Sequence, residues 1–160
     1  MSNLEIERKF LLLDDSWRSA VLKTIPMRQG YLNLEKTCSV RVRIAGEQAT
    51  LSIKGATLGA VRLEFEYPIP LEQAHAMLNG LSVGPQIEKI RHLVPIGEHT
   101  FEIDEFTGDN EGLIVAEVEL SDPDEVFTKP AWLGLEVTED PRYYNTSLSR
   151  TPYKSWLTSE

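Results

Sequence analysis

The chain has 160 residues, which is long enough for a real hydrophobic core, and the sequence predicts a single domain over residues 1–160. Its 41% hydrophobic and 26% charged residues are ordinary for a soluble globular protein and give no sign of disorder. The formal net charge of -9 argues against a nucleic-acid partner, because phosphate backbones are bound by basic surfaces.

Cysteine content and hydropathy exclude further classes of protein. Cys38 is the single cysteine, which rules out an intramolecular disulfide and argues against a cysteine-rich zinc site. The first residues show no basic segment followed by an apolar one, and no apolar run approaches about 18 residues, the length of a membrane span. We therefore expect a cytoplasmic protein with no membrane partner.

In the first half of the chain, apolar and charged residues alternate, which is the pattern of β-strands with two unlike faces. Such alternation predicts strands over residues 4–12, 27–34, 38–44, 49–54 and 61–69. Between the first two, Trp17 to Lys23 is predicted to form a short helix that Pro26 ends.

After Pro70 the apolar residues fall at helical spacing as far as Leu78, and Asn79-Gly80 is predicted to end the helix. Strands are then predicted over residues 86–94, 100–106 and 113–120. The remaining segments are predicted as a short helix capped by Asp122-Pro123-Asp124 and irregular chain over 130–135. Residues 137–150 are predicted as a loop that leads to a short C-terminal helix containing Tyr144 and Leu148.

About eight strands, mostly in hairpins, indicate an α+β fold that is mainly β. In a sandwich, the charged faces would be outside and the apolar faces would pack together. In a closed barrel with a wide bore, the charged faces would line the lumen and helices would cover the apolar outside.

The charged faces are almost purely acidic or basic, whereas solvent-facing strands normally mix in Thr, Ser and Gln. This purity favours one shared polar interior. The acids are Glu5, Glu7, Glu64, Glu66, Glu102, Asp104, Glu117 and Glu119, and the bases are Lys9, Arg41, Arg43, Lys54, Arg62, Lys89 and Arg91.

These residue types suggest the chemistry of the ligand. Paired carboxylates suit a hard cation such as Mg²⁺, and the guanidinium fork matches phosphate oxygens. A lone cation would not need seven bases, and a simple anion would be repelled by eight acids. The pattern therefore favours a metal-chelated polyphosphate.

The same residues resemble the CYTH domains, also called triphosphate tunnel metalloenzymes. Glu5-Ile6-Glu7-Arg8-Lys9 fits the ExExK signature of that family. The resemblance runs from residue 4 to about residue 150 and continues in order through Arg41-Val42-Arg43, Lys54, Arg62-Leu63-Glu64-Phe65-Glu66, Lys89-Ile90-Arg91, Glu102-Ile103-Asp104 and Glu117-Val118-Glu119. Residues 28–32 and 137–143 are similar to segments of the short bacterial members.

The resemblance implies a closed eight-stranded antiparallel β-barrel, a tunnel with a charged lumen, flanking helices and a C-terminal helix that closes one end. It implies an enzyme that hydrolyses inorganic triphosphate, a small-molecule substrate, to pyrophosphate and phosphate with Mg²⁺ or Mn²⁺. A homodimer is expected at the level of the family only. The alternatives are a class IV adenylate cyclase or a nucleoside or thiamine triphosphatase on the same fold, and a non-catalytic polyphosphate-binding or nucleotide-binding module.

The resemblance also implies roles for individual residues. Glu5, Glu7 and Glu119 would hold a first metal with Glu117 close by, and a second metal would use Glu64, Glu66 or Asp104. The phosphates would be bound by Arg41, Arg43, Lys54, Lys89 and Arg91, while Arg62 would either join them or pair with its strand neighbours. Glu5, Glu7, Lys9 and Tyr31 are expected at the catalytic centre, with Lys9 near the terminal phosphate or the attacking water. Tyr31 would either position Lys9 or pack in the barrel.

Overall fold

The computed structural model describes residues 3–156, in which nine strands form one antiparallel sheet. The strands are β1 (Leu4–Leu12), β2 (Lys23–Leu34), β3 (Cys38–Ala45), β4 (Gln48–Gly55), β5 (Val61–Ile69), β6 (Val83–Ile96), β7 (His99–Phe106), β8 (Ile114–Glu119) and β9 (Leu133–Glu136). The α-helices are α1 (Leu71–Gly80), α2 (Asn145–Arg150) and α3 (Tyr153–Trp156), and short 3₁₀ segments cover Ser16–Ala20, Gly108–Asn110 and Pro141–Tyr143. Within the described range, no helix has the length and apolar character needed to cross a membrane.

Pairing between the first and fifth strands closes the sheet into a barrel. The strand order is β5-β4-β3-β2-β6-β7-β8-β1-β9, and β1 also pairs with β5 through Leu4–Ile6 and residues 61–63. Further along β1, Phe10 and Leu12 pair with β9 instead. The result is an eight-stranded antiparallel barrel with one extra strand, which confirms the expected fold.

Two apolar clusters cover part of the barrel's outer surface. In the larger one, Trp17 of the first 3₁₀ segment and Phe127 and Trp132 of the chain before β9 pack on outward-facing residues such as Phe101 and Val118. In the other, Ala74 and Leu78 of α1 pack on β3 and β4 residues that include Val42, Ile44 and Ala49. These covers keep the apolar strand faces out of water, and so they leave the opposite faces to line the interior.

The C-terminal segment fills one end of the barrel with apolar side chains. Tyr143 and Leu148 pack in one buried cluster with inward-facing residues of β2, β6, β7 and β8. Those residues are Tyr31, Ile87, Phe106 and Val115. Closure by a C-terminal helix was expected, and α2 together with the preceding 3₁₀ turn provides it.

The chain before the second strand differs from the prediction. The helix expected over Trp17 to Lys23 is a 3₁₀ segment, Ser16–Ala20, and β2 begins at Lys23 and includes Pro26. Pro26 is tolerated there because β3 pairs with β2 only from Met27 onwards, so the missing proline N–H breaks no ladder bond on that side.

Two predictions between the eighth strand and the C-terminus were wrong. Asp122-Pro123-Asp124 forms a turn, in which the Asp124 N–H donates to the Asp122 carboxylate at 2.8 Å, and no helix follows it. The segment expected to be irregular contains β9, whose four residues are too few to show a period.

Phe101 tests the outer apolar cluster. Its side chain is fully buried and makes edge contacts with the Phe127 and Trp132 rings, at 6.0 and 5.4 Å between ring centroids. We expect Phe101→Ala to lower the free energy of unfolding by about 3–5 kcal/mol, measured by urea denaturation. Leu22→Ala, at a 76% exposed position, is the control and should change it by less than about 0.5 kcal/mol. Equal effects would contradict this description of the core.

Candidate active site

The charged strand faces converge on a cavity of about 370 Å³ inside the barrel. Most of the site residues expected from the sequence line it together. They are Glu5, Glu7, Lys9, Tyr31, Arg41, Arg43, Lys54, Arg62, Glu64, Glu66, Arg91, Glu117 and Glu119. Period-two alternation accounts for this convergence, since each of these side chains projects from the inner face of its strand.

Other lining residues had been given no role. Glu102 had been counted among the inward acids, while Thr138, Tyr144 and Asn145 come from the C-terminal segment. That segment has no periodicity, so the only sequence signal for it is the resemblance of residues 137–143, which includes Thr138 but not Tyr144 or Asn145.

Lys89 and Asp104 do not line this cavity, although both were expected at the site. Their side chains are completely shielded from solvent, with the Lys89 Nζ 2.7 Å from an Asp104 carboxylate oxygen. Arg91 donates to both oxygens of the same carboxylate, at 2.8 and 2.9 Å. Each of these two groups offsets the charge of the other, and the predictions that Asp104 holds a metal and that Lys89 binds phosphate stay predictions.

Burial and pairing shift the pKa values of this trio. Burial alone would raise the pKa of Asp104, but Arg91 and Lys89 outweigh it and hold that pKa well below its usual range. Burial lowers the pKa of Lys89 to about 7, against the attraction of Asp104. Arg91 also donates to Glu102 at 2.8 Å, so two carboxylates hold its guanidinium in place.

Two neighbouring guanidiniums on β3 lack carboxylate partners. Among the residues that the structure describes, neither Arg41 nor Arg43 forms an ion pair. Arg41 is buried, its Nε has no hydrogen-bond partner, and its Nη2 reaches only the Ser52 hydroxyl at 3.4 Å. Desolvation, followed by the charges of Arg41 and Arg91, lowers the pKa of Arg43 to about 10. This side of the cavity carries positive charge that the protein itself does not neutralise.

Arg62 also lines the cavity and is not paired with the acids of its own strand. Its Nε donates to the Gly55 carbonyl at 3.1 Å. The role in phosphate binding that the sequence leaves open to Arg62 stays a prediction.

The two lysines of the cavity contact the acids directly. Lys54 Nζ lies between Glu5 and Glu64, 3.1 and 3.0 Å from their carboxylate oxygens. Lys9 Nζ donates to the Tyr143 carbonyl at 2.9 Å and lies 3.7 Å from Glu117. Lys54, on the strand next to β3, therefore sits between the acids and the unpaired guanidiniums, and Lys9 lies among the acids near the closed end.

Positioning Lys9 was one role expected of Tyr31, but the hydrogen bonds within residues 3–156 do not show this. The Lys9 ammonium is held by the Tyr143 carbonyl, which belongs to the C-terminal segment. Tyr31 lines the cavity and at the same time packs in the apolar cluster at the closed end.

Excess negative charge marks the acidic side of the cavity. Burial and the neighbouring carboxylates of Glu117 and Glu5 raise the pKa of Glu7 well above its usual value. Burial, with Glu5, Glu64 and Glu66, raises the pKa of Glu119 in the same way. Where carboxylates raise one another's pKa values, a cation is favoured.

The donor set fits a hard divalent cation, because carboxylate oxygens are the ligands that Mg²⁺ and Mn²⁺ take. Within the described part of the chain, however, no three Asp, Glu, His or Cys side chains are grouped as a ready-made metal site. The chemistry of the cavity fits the cation without fixing its ligand geometry.

A second cavity lies beside the acidic side of the first. It has a volume of about 460 Å³, and Glu102 and Glu119 line both cavities. Glu98, His99 and Glu125 line the second cavity as well. The C-terminal segment thus closes one end of the barrel, and several acids line the second cavity beside the first.

A closed barrel with its charges turned inward, basic on one side and acidic on the other, is the architecture of a tunnel that binds a small charged ligand. The chain belongs to the CYTH domain family, whose match covers residues 3–153.

Two similar proteins are named inorganic triphosphatase. One, from Acetivibrio thermocellus, is 46% identical over 152 residues, which is 95% of this chain and 97% of that protein. The other, from Nitrosomonas europaea, is 37% identical over 150 residues, which is 91% of this chain and 96% of that protein. A crystal structure of an inorganic triphosphatase aligns with a TM-score of 0.64 and 33% identity, covering 91% of this chain and 93% of that one.

The buried lysine gives a pH-dependent prediction. Because the pKa of Lys89 is lowered to about 7, the unfolded chain binds more protons than the folded chain between about pH 7 and pH 10. The stability of the wild type relative to Lys89→Met should therefore rise with pH in this window, by up to about 1.4 kcal/mol per pH unit. Urea unfolding at pH 7 and pH 9 measures the difference.

Lys36→Met is the matched control, since Lys36 is exposed. Its stability relative to the wild type should be the same at both pH values. A difference between the wild type and Lys89→Met that stays constant or falls with pH would contradict the lowered pKa.

Proposed function

We propose that this protein hydrolyses inorganic tripolyphosphate to pyrophosphate and phosphate in the barrel cavity. The observation that carries the proposal is the pair Arg41 and Arg43, two lumen guanidiniums without carboxylate partners in the described structure, opposite a wall of carboxylates. An anion rich in charge, chelated to a divalent cation, satisfies both sides of such a cavity. The similarity to two inorganic triphosphatases over nearly the whole chain supports the same substrate.

The basic residues of the cavity would bind the phosphates. Arg41, Arg43 and Arg62 present guanidinium groups that match phosphate oxygens in pairs. Lys54 and Lys9 add point charges beside the acids, while Arg91 is held by Glu102 and Asp104 and contributes charge from a fixed position. These cations would stabilise the negative charge that develops on the leaving pyrophosphate.

The acidic residues of the cavity would bind the cation. Glu5, Glu7, Glu117 and Glu119 would hold Mg²⁺ or Mn²⁺, and Glu64 and Glu66 are the candidates for a second ion. The chemistry supplied by a bound divalent cation is neutralisation of phosphate charge and a lower pKa for the attacking water.

The reaction itself needs a proton acceptor near the terminal phosphate. Water adds to the terminal phosphorus, the bridging P–O bond breaks, and a carboxylate of the acidic wall takes the proton of the water. Lys9 is suited to orient the terminal phosphate, because the Tyr143 carbonyl fixes its ammonium 3.7 Å from Glu117. Closure of the cavity by the C-terminal segment excludes water from one side and strengthens these charge interactions.

A substrate comparison tests the proposal. Phosphate release should be fast with tripolyphosphate and Mg²⁺, at least about tenfold slower with ATP or thiamine triphosphate, and abolished by EDTA. Formation of cyclic AMP from ATP would assign the chain to the cyclases on this fold. Absence of turnover, with tripolyphosphate still bound, would favour a binding module.

Glu5→Gln tests the acidic wall. The substitution removes one charge without changing the shape of the side chain, and we expect it to lower kcat by at least about a hundredfold. The free energy of unfolding should change by less than about 1 kcal/mol, because Lys54 keeps Glu64 as its partner. Steady-state kinetics and thermal unfolding measure the two effects. Glu47→Gln, at an exposed turn, is the control, and full activity in Glu5→Gln would overturn the role of Glu5.

A further inference from the structure

Gln29 is a completely buried polar residue that the roles given above do not use. It lies in the middle of β2, two residues before Tyr31, and so faces the barrel interior in phase with it. In the strand register it is directly opposite Arg43 on β3. A buried amide in the wall of a charged cavity requires partners for both its donor and its acceptor.

The two ends of the Gln29 amide have different partners. Arg43 Nε donates to Gln29 Oε1 at 2.8 Å, and Gln29 Nε2 donates to Asn145 Oδ1 at 3.2 Å. Because a guanidinium has donors only, the oxygen of Gln29 must face Arg43, and its nitrogen must then face Asn145. Arg43 thus fixes the orientation of both amides, and Asn145 is a cavity-lining residue at the start of α2.

Because Gln29 carries no charge, its hydrogen bond with Arg43 does not neutralise the Arg43 guanidinium. Gln29 fixes the Nε of Arg43 and leaves its two terminal nitrogens without hydrogen bonds to any residue in the described range. A carboxylate in the same position would fix the guanidinium equally well but would neutralise it, as Asp104 does for Arg91. The amide keeps Arg43 both oriented and positively charged.

We infer that Gln29 is a positioning residue that holds Arg43 for the phosphate chain without neutralising it. It also links this orientation to Asn145, and therefore to the C-terminal segment that closes the cavity. The inference rests on the proposed function, since it concerns how the same cavity binds its substrate. It adds a residue outside the charged set and a reason why that residue is an amide and not an acid.

The barrel provides a matched control for this arrangement. On the outer face, Arg28 Nε donates to Gln86 Oε1 at 2.7 Å, which repeats the contact between arginine and glutamine away from the cavity. Substitutions at Gln86 therefore remove the same kind of hydrogen bond without touching the substrate site. Both glutamines are in strands of the barrel. Thermal unfolding of each variant and of the wild type therefore shows whether a substitution also changes the stability of the fold.

The experiment measures KM and kcat for tripolyphosphate with Mg²⁺ in Gln29→Met and Gln29→Glu. We expect Gln29→Met to raise KM about tenfold with kcat within about threefold of the wild type, because an oriented charge-assisted contact to the substrate is lost. Gln29→Glu keeps the acceptor for Arg43 but adds a negative charge, and KM should rise by at least as much. Gln86→Met should leave both constants within about twofold.

A double-mutant cycle distinguishes action through Arg43 from a general packing effect. In an Arg43→Ala background, Gln29→Met should change KM by less than about twofold, since the residue that it positions is gone. A further tenfold rise in that background, or an unchanged KM in the Gln29→Met single variant, would overturn the inference. A Gln29→Glu enzyme with wild-type KM would also overturn it, since an acid would then serve equally well.

Calorimetric titration of tripolyphosphate at a temperature well below unfolding covers the case in which a variant is unstable during the assay. Weaker binding by folded Gln29→Met, with binding by Gln86→Met unchanged, supports the inference, and equal binding by the two opposes it. Wild-type protein that neither binds nor hydrolyses tripolyphosphate would mean that the proposed function has failed. If the wild-type protein binds and hydrolyses tripolyphosphate, the proposed function stands, and the results for the Gln29 variants then test only the role of Gln29.

Discussion

Charge compensation inside a closed barrel is the constraint on which the rest of this structure depends. Strands that alternate apolar and charged residues must turn one face inward, and charges taken out of water are costly unless they are paired. The protein pairs some of them itself, as in the contacts of Arg91 and Lys89 with Asp104. In the described structure, the charges left without a partner of opposite sign include Arg41, Arg43 and Arg62, and several carboxylates of the cavity repel one another. A polyphosphate chelated to a divalent cation would compensate both sets of charges, its phosphates the guanidiniums and its cation the carboxylates.

The C-terminal segment connects barrel closure with the site. Its Tyr143 and Leu148 fill the apolar end of the barrel, the Tyr143 carbonyl holds the Lys9 ammonium, and Asn145 accepts from Gln29. Hydrophobic packing thereby sets the positions of polar groups on β1 and β2 that face the cavity. Stability at the closed end and geometry at the site are consequently two results of the same contacts.

The sequence predicted which side chains turn inward better than where they lie along the barrel. Alternation with a period of two follows from strand geometry, so the inward direction of Glu117 and Glu119 was readable from the residues alone. Depth and partnership depend on strand register, which is why the buried pairing of Lys89 with Asp104 was not readable from the sequence. Gln29 was in phase with Tyr31, but an amide among charges carries no signal until its partners are known. The four residues of β9 were too few to be recognised.

The central claim is that the uncompensated guanidiniums of the lumen hold the phosphate chain. The most direct test is the crystal structure of the wild-type protein with Mg²⁺ and the imido analogue of tripolyphosphate, in which N–H groups replace the bridging oxygens so that turnover is prevented. We expect electron density for the phosphate chain inside the barrel, with phosphate oxygens within hydrogen-bond distance of Arg41 and Arg43. Density confined to the outer surface, or phosphates bound in the barrel away from both arginines, would contradict this account.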